Sequence, residues 1–262
     1  MARPLIALLT DFGLRDHYVG TMKGVALGIC PEASLVDISH DIAPQDVLGA
    51  ALELADAYRY FPPGTIFLVV VDPGVGSTRR AIAAEAGQYR FVAPDNGVLS
   101  AVLDQVPAER AVELSESKYA RSPVSKTFEG RDRFAPAAAW LASGVQISAL
   151  GAPVSSLVRL NLPRPHATDA GVDGEVLRVD RFGNLITNID LITLGSLTGP
   201  MAVRIGSHVI PQIVSTYASA KPGELCALVG SSDRLEVAVS GGSAAETLGI
   251  GRGAVVQLRR SA

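Results

Sequence analysis

Residues 65–79 read TIFLVVVDPGVGSTR, and this stretch decides the fold. Thr65–Val71 is β-branched and continuously apolar, which is typical of a strand covered on both faces. Around it the apolar spacing predicts further strands at 4–9 and 35–38, and helices at 17–29 and from 44 to about 60. Strands that alternate with helices in this way predict an α/β domain, with a mostly parallel sheet flanked by helices.

The character of the sequence changes near residue 160. Residues 161–166 are extended and proline-rich, and short β-rich runs separated by glycine, serine and proline follow them. These runs cover 175–179, 201–205, 225–229, 235–239 and 254–258. The pattern predicts an α/β N-terminal domain over 1–160, a linker over 161–170 and a smaller all-β C-terminal domain over 171–262.

Composition and charge exclude several classes of function. The 262 residues carry a net charge of −3, from 23 basic and 26 acidic residues without a basic cluster, so nucleic acid is not expected as a partner. Apolar runs such as Ile66–Val71 are far shorter than the ~20 residues of a membrane helix, and the N-terminus lacks a signal-peptide core. We therefore expect a cytoplasmic protein that does not bind membranes. Cys30, Cys226 and four scattered histidines lack metal-ligand spacing, so no metal site is predicted, and the histidines are expected at the surface or in loops.

Aspartates follow two of the predicted strands. Asp11 follows the strand at 4–9 and Asp72 follows Thr65–Val71, and ligands of such sheets bind beyond the carboxyl ends of the strands. Residues 72–79 contain neither GKS, GKT nor GxGxxG, which disfavours a nucleotide-phosphate loop. Two interpretations of Asp72 stay open: it caps the amides of a tight turn, or it pairs with an arginine that lines a site. Asp11 likewise either caps a turn or accepts hydrogen bonds from a ribose diol.

Residues 180–188 read DRFGNLITN and interrupt a β-rich segment with polar, aromatic and glycine residues. One interpretation places Phe182 in the core and Gly183-Asn184 in a hairpin turn. The other makes this segment part of a binding site. In that case Phe182 offers a stacking face, and the Asn184 carboxamide can both donate to and accept from a purine edge.

Six segments occur in one order along the chain and together point to a known family. They are TDFG at 10–13, VDPGVG at 71–76, APDNG at 93–97, TFEGRD at 127–132, FGN at 182–184 and the stretch Ser231–Gly242. Over nearly its whole length the chain resembles the S-adenosyl-L-methionine (SAM) hydrolases that form adenosine. They are also called the SAM hydroxide adenosyltransferase family and are related to the SAM-dependent fluorinase and chlorinase.

This resemblance implies an architecture and a set of ligands. It implies an α/β N-terminal domain, a smaller β-rich C-terminal domain, and homotrimers with active sites between neighbouring subunits. SAM would be the substrate, adenosine and methionine the products, and no cofactor would be needed.

The resemblance also assigns binding roles to polar residues of both domains. The roles are Asp11 for the ribose hydroxyls, Asp180 for the methionine ammonium, Asn184 for the adenine edge with Phe182 packed nearby, Ser231 and Ser232 for the methionine carboxylate, and Glu236 with the backbone around Val239 completing the pocket. Such groups suit SAM, because a carboxylate binds its cationic end and hydroxyls with backbone amides bind its anionic end.

The hydrolases of this family use an aspartate, an arginine and a histidine near the attacked carbon. Asp72 and Arg79 match the first two in type and spacing, with the adjacent Arg80 as the alternative register, and Asp72 is also expected to contact the substrate. Glu129 stands where those hydrolases have histidine. We interpret Glu129 as the base or the water-orienting group. The alternative is that it points away and pairs with one of the arginines in 131–133.

The implied reaction is attack of water on the ribose C5′ of SAM, which expels methionine. A halogenase is the nearest alternative, but it needs a non-anionic pocket for halide, which two carboxylates would oppose. Residues 85–89 also form a simple turn without the long insertion of the fluorinase. A second alternative, from another class, is a non-catalytic protein that binds SAM or adenosine and leaves it intact.

Overall fold

The computed structural model describes residues 3–260. The chain divides into two compact units, Met1–Leu162 and Pro163–Ala262, which we call the N-terminal and C-terminal units. Their boundary lies inside the stretch predicted as a linker, 161–170. Part of that stretch is not a linker, since His166–Thr168 forms a strand that pairs with the strand after it.

The N-terminal unit consists of strands and helices that alternate along most of its length. They are β1 (Leu5–Thr10), α1 (Tyr18–Ile29), β2 (Ser34–Ser39), α2 (Val47–Ala57), β3 (Ile66–Val70), β4 (Ala81–Ala86), β5 (Tyr89–Pro94), α3 (Ser100–Gln105), β6 (Ala108–Glu113) and α4 (Ala135–Ala142). A π-helical turn, Gly130–Phe134, leads into α4, and one-turn 3₁₀ helices lie at Tyr58–Tyr60, Ser117–Tyr119 and Ile147–Ala149.

The sheet of this unit is mixed, with a parallel centre. The strand order is β2-β1-β3-β5-β4-β6. The pairs β1–β2, β1–β3 and β3–β5 are parallel, whereas β4 is antiparallel to both β5 and β6. The prediction of a mostly parallel sheet therefore describes the half that contains the fold-deciding strand.

Helices cover both faces of the sheet, which explains why its central strands are apolar throughout. In β1, Ile6 and Leu8 pack with α1 and α4 on one face, while Ala7 and Leu9 pack with α2 on the other. Successive side chains of a strand point to opposite faces, so a strand covered on both sides needs an apolar residue at every position. The predicted helix from 44 to about 60 begins later, at Val47, because the Asp46 side chain accepts a hydrogen bond from Gly49 N at 2.9 Å and caps it.

The C-terminal unit is rich in β-structure. Its elements are β7 (His166–Thr168), β8 (Gly171–Val179), β9 (Leu185–Asp190), α5 (Leu191–Gly195), β10 (Met201–Ile205), β11 (His208–Ile210), β12 (Ile213–Val214), β13 (Leu225–Val229), β14 (Arg234–Val239), α6 (Ala244–Leu248) and β15 (Val255–Arg260), with a 3₁₀ turn at Tyr217–Ser219. The strands follow the order β11-β10-β15-β8-β9-β14-β13-β12, and β7 pairs with β8.

The prediction of an all-β C-terminal domain needs correction, because this unit also contains α5 and α6. Each begins at a polar cap. Asp190 accepts a hydrogen bond from Thr193 N at 2.7 Å, and Ser243 accepts one from Glu246 N at 3.1 Å. Such caps satisfy backbone N–H groups that have no partner within the first turn, and they start a helix even where the surrounding sequence favours strands.

Within residues 3–260, every helix is too short or too polar to cross a lipid bilayer.

Candidate active site

Two aspartates predicted for the site follow neighbouring parallel strands. Thr10 of β1 pairs with Val70 of β3, so Asp11 and Asp72 both lie just beyond the same carboxyl edge of the sheet. At this edge the strand ends leave the sheet together, which is where parallel α/β folds bind ligands.

The segment after β3 is a tight turn that brings the chain back over Asp72. Val75 N donates to the Asp72 carbonyl at 3.2 Å, and Ser77 N donates to the Gly74 carbonyl at 3.1 Å. Gly76 has φ +76°, and a Cβ there would lie 2.3 Å from the carbonyl oxygen of Lys126. Glycine is required at this position, because any side chain would meet backbone that cannot move aside easily.

This turn places Arg79 against Asp72. Arg79 Nε lies 2.9 Å and 3.0 Å from the two Asp72 carboxylate oxygens, and Nη2 also donates to Asp72 Oδ2. The guanidinium lies 5.3 Å from the centroid of the buried Phe134 ring. Arg80 points elsewhere, since its Nε and Nη2 donate to Asp95 at 2.9 and 2.5 Å. The structure therefore selects Arg79 and not Arg80 as the arginine beside Asp72.

Glu129 is buried at the start of the π turn and joins the same cluster. Its Oε2 accepts a hydrogen bond from Arg79 Nη2 at 2.5 Å, and its Oε1 lies 3.8 Å from Arg133 Nε. Arg131 binds the neighbouring Asp132 instead, with Nε–Oδ1 2.7 Å. Glu129 thus faces the Asp72–Arg79 pair and also lies near Arg133, so it does not point away from the cluster.

Arg79 is a permanent positive charge between two carboxylates. Burial disfavours its charged form, but hydrogen bonds and attraction from Asp72 and Glu129 outweigh burial and raise the pKa of Arg79 above its ordinary value. The repulsion expected between two neighbouring carboxylates is consequently offset by the guanidinium that both share.

Asp11 occupies a loop supported by polar contacts that run through the buried Thr10 and His40. Asp11 Oδ2 accepts a hydrogen bond from Gln45 N at 2.8 Å. Below it, Thr10 Oγ1 lies 2.8 Å from His40 Nδ1, and His40 Nε2 lies 2.9 Å from Asp37 Oδ1. The expectation of histidines at the surface or in loops is correct in part for His40, which is a loop residue with only 4% of its surface exposed. Its role in supporting the Asp11 loop has no signature in the sequence, because the contacting partners lie far apart along the chain.

The C-terminal unit contains a pocket of about 640 Å³. All seven site residues predicted in this unit line it: Asp180, Phe182, Asn184, Ser231, Ser232, Glu236 and Val239. Sequence reasoning missed further lining residues, among them Arg178 and Tyr217. The pocket and the Asp72–Arg79–Glu129 cluster belong to different units.

One wall of the pocket is a turn built around Asp180. Its Oδ1 accepts hydrogen bonds from the backbone N of Phe182 at 2.9 Å and of Asn184 at 2.8 Å, and its Oδ2 accepts one from Asn184 Nδ2 at 2.9 Å. Phe182 is 76% exposed, so it presents a ring face at the pocket and does not belong to the core. An exposed aromatic beside fixed polar groups is typical of a ligand-binding surface.

Glu236 lies at the buried side of the pocket. It is 4% exposed, and the Tyr217 hydroxyl donates a hydrogen bond to its Oε1. Burial, reinforced by the negative charge of Asp180, raises the pKa of Glu236, although the hydrogen bond from Tyr217 opposes this rise. Tyr217 reaches Glu236 from a 3₁₀ turn 19 residues away, which no spacing rule would indicate.

The substitution Gly183→Ala should destabilise the Asp180 turn strongly. Gly183 has φ +83°, and a Cβ there would lie 2.1 Å from Ser243 Oγ and 2.6 Å from Ser243 Cβ. We expect the free energy of unfolding to fall by about 2 kcal/mol or more and Tm to fall by about 4 °C or more. Gly195→Ala is the matched control, since a Cβ at that position meets nothing within 4 Å. Thermal unfolding checks this, and equal Tm values for the two variants would contradict the expectation.

Both units match the models of a known protein family. The SAM hydroxide adenosyltransferase N-terminal domain matches residues 6–151, and the C-terminal domain of the same family matches residues 174–257. The chain belongs to the SAM hydroxide adenosyltransferase family. The resemblance that the six ordered motifs indicated is thereby confirmed.

Relatives within this family include hydrolases and a fluorinase. The chain is 40% identical to a (R)-S-adenosyl-L-methionine hydrolase of Thermus thermophilus, over 97% of this chain and 98% of that protein. It is 42% identical to a protein of the same name from Salinispora tropica, over 94% of both. A fluorinase of Actinoplanes sp. is 32% identical over 71% of this chain and 72% of its own length. Among solved structures, an uncharacterized conserved protein of Thermotoga maritima has a TM-score of 0.91 at 37% identity, covering 97% of this chain and 100% of its own.

Proposed function

We propose that this chain hydrolyses SAM to adenosine and L-methionine. The observation that carries the proposal is its identity of about two fifths, over nearly its full length, to proteins named (R)-S-adenosyl-L-methionine hydrolase. All six motifs recognised in the sequence lie within the matched regions, and so do Asp72, Arg79 and Glu129.

The leaving group of this reaction needs no catalytic acid. Departure of methionine converts a sulfonium into a neutral thioether, so protonation of the leaving group is unnecessary. The protein must align a water opposite the C5′–S bond and accept its proton. Near-attack alignment is worth about 7–11 kcal/mol, and general-base help about 10²–10⁴-fold.

The Asp72–Arg79–Glu129 cluster supports these two tasks. Arg79 fixes both carboxylates by hydrogen bonds, so their oxygens are held without rearrangement. Glu129 Oε1 lies too far from Arg133 Nε, at 3.8 Å, for a hydrogen bond and keeps the capacity to accept one from water. Within the proposal Glu129 orients the water or takes its proton, and Asp72 contacts the ribose side of the reacting carbon.

The pocket of the C-terminal unit is proposed to hold SAM. The roles are those that the resemblance implies: Asp180 for the ammonium, Asn184 and Phe182 for the adenine, Ser231 and Ser232 for the carboxylate, and Glu236 with Val239 as pocket walls. Asp11 would bind the ribose hydroxyls. A volume of about 640 Å³ is within the range of small-molecule sites.

The proposal extends to assembly and location. As the family resemblance implies, a homotrimer with its active sites between neighbouring subunits is the proposed assembly, and the cytoplasm is the expected compartment. The oligomeric state can be measured by sedimentation of the full chain.

Halogenation is the alternative that a relative favours, since a fluorinase matches about 71% of the chain. Against it stand the carboxylates of Asp72 and Glu129, which already accept the Nε and Nη2 donors of Arg79 that a halide would need. A non-catalytic SAM-binding protein is the other alternative.

Incubation with SAM in ¹⁸O-water, with chloride present, separates the three functions. Mass analysis of the nucleoside should reveal adenosine with ¹⁸O at C5′, because the attacking oxygen comes from solvent. Chlorinated nucleoside would indicate a halogenase. Intact SAM, with binding demonstrated by calorimetry, would indicate a binding protein and overturn the proposal.

A further inference from the structure

We propose that Arg133 is a positioning residue that acts through Glu129, an inference that rests on the proposed hydrolysis. Asp72 and Glu129 contribute two negative charges to a largely buried cluster, and Arg79 contributes one positive charge. Arg133 supplies the second positive charge, beside Oε1 of Glu129, whereas Arg79 binds Oε2. The cluster is therefore electrically balanced only when Arg133 is included.

The backbone around Glu129 produces this arrangement. Glu129 precedes the π turn, Gly130–Phe134, and Arg133 lies four residues later, so both side chains emerge on one side of the turn. Single π turns inside helices occur frequently at functional sites. The neighbouring Arg131 emerges in another direction and binds Asp132.

Arg133 is anchored independently of Glu129. Its Nη1 donates to the carbonyl oxygen of Leu114 at 3.0 Å, immediately after β6. Its Nε is buried and lacks a hydrogen-bond partner among the described residues, although Glu129 Oε1 is the nearby acceptor at 3.8 Å. A buried N–H of this kind costs free energy unless it contributes to an electrostatic interaction.

Arg79 and Arg133 act on different oxygens of the Glu129 carboxylate. Arg79 fixes Oε2 by a direct hydrogen bond, and Arg133 stabilises the charge on the Oε1 side without occupying that oxygen. Oε1 is thus oriented and remains able to accept a hydrogen bond from a water. If Arg133 is removed, Asp72 and Glu129 compete for Arg79, and one carboxylate is left uncompensated in a buried site.

The test is a double-substitution cycle on adenosine release by the full chain. Arg133→Met should lower kcat by about tenfold or more with KM changed by less than about twofold, and Arg133→Lys should recover most of the loss. In a Glu129→Gln background, Arg133→Met should lower kcat by less than about twofold, because no charge then needs balancing. Arg121→Met is the control. Arg121 is exposed and pairs with Asp132, which stays paired with Arg131 when Arg121 is replaced.

The outcomes separate this inference from the proposed function. An equal loss of kcat from Arg133→Met in both backgrounds, or a loss that Lys does not recover, would overturn the positioning role. If the wild type leaves SAM intact, the proposed function fails. Thermal unfolding then tests the ion pair alone. Arg133→Met should lower Tm by less in the Glu129→Gln background than in the wild type, and an equal fall in Tm in both backgrounds would overturn the inference.

Discussion

Asp72→Asn should lower the kcat for adenosine release by about 10³-fold while the protein stays folded. The Asp72 side chain is 5% exposed and accepts hydrogen bonds from both Nε and Nη2 of Arg79. Asparagine keeps the shape but removes the charge, and its amide group places a donor against an arginine that can only donate. The loss combines misplacement of Arg79 with removal of a group at the reacting carbon, and because both act through one cluster these two factors of about 10² do not multiply in full. Single-turnover kinetics on SAM measures it.

Asp95→Asn is the matched control for this prediction. Asp95 is also a buried carboxylate bound by two nitrogens of an arginine, Arg80, in the same unit. Its substitution should reduce stability and leave the kcat of the folded protein within about threefold. A kcat for Asp72→Asn within threefold of the wild type would contradict the catalytic assignment of Asp72.

The elements predicted most accurately are the central strands of the N-terminal sheet, whose sequence pattern has a single physical cause. The strand within 65–71 and the strand within 4–9 are present with their ends shifted by one residue, because burial on both faces demands an unbroken apolar run. The start of α2 was missed by three residues, since a cap such as Asp46 competes with the preceding proline as a helix start. The short helices α5 and α6 have too few residues for a helical period to be visible.

The sequence could not decide between chemically identical neighbours. Arg79 and Arg80 are the same residue type at consecutive positions just before β4. Only the path of the backbone there directs Arg79 to Asp72 and Arg80 to Asp95. Likewise the FEGRDRF segment offers four arginine-to-carboxylate pairings, and the π turn selects Glu129–Arg133 and Arg131–Asp132. Tertiary geometry, and not composition, makes these choices.

Residues that act by supporting others were the ones missed. His40 and Tyr217 contact predicted site segments through partners 30 and 19 residues away, respectively. Motif matching finds groups that contact a ligand, because those occur in recognisable strings. Groups that position them leave no local pattern and become visible only in three dimensions.

Glu129→His should retain hydrolysis and move the acid limb of the pH–kcat profile to higher pH. A general base works only when deprotonated, and activity is therefore lost as pH falls through the range in which the base is protonated. An imidazole ordinarily takes its proton near pH 6.5 and a glutamate carboxyl near pH 4.3, a difference of about two pH units. The pKa of Arg79 is raised, so Arg79 stays charged throughout this range and its charge disfavours protonation of either side chain, which leaves a shift of about two pH units as the expected result. Rates from pH 4 to pH 9 measure it.

Two further variants make this last prediction decisive. Glu129→Gln cannot accept the proton and should lower kcat by about 10²-fold or more over the whole pH range. Glu85 lies on β4, and its carboxylate pairs with Arg90 at 3.5 Å and with Arg110 at 3.4 Å. Glu85→His should therefore leave the pH profile unchanged. A profile that Glu129→His does not move would mean that the side chain at 129 does not titrate in the rate-limiting step. Glu129 would then serve only to hold Arg79, and Asp72 would be the remaining carboxylate of the cluster able to take the proton from water.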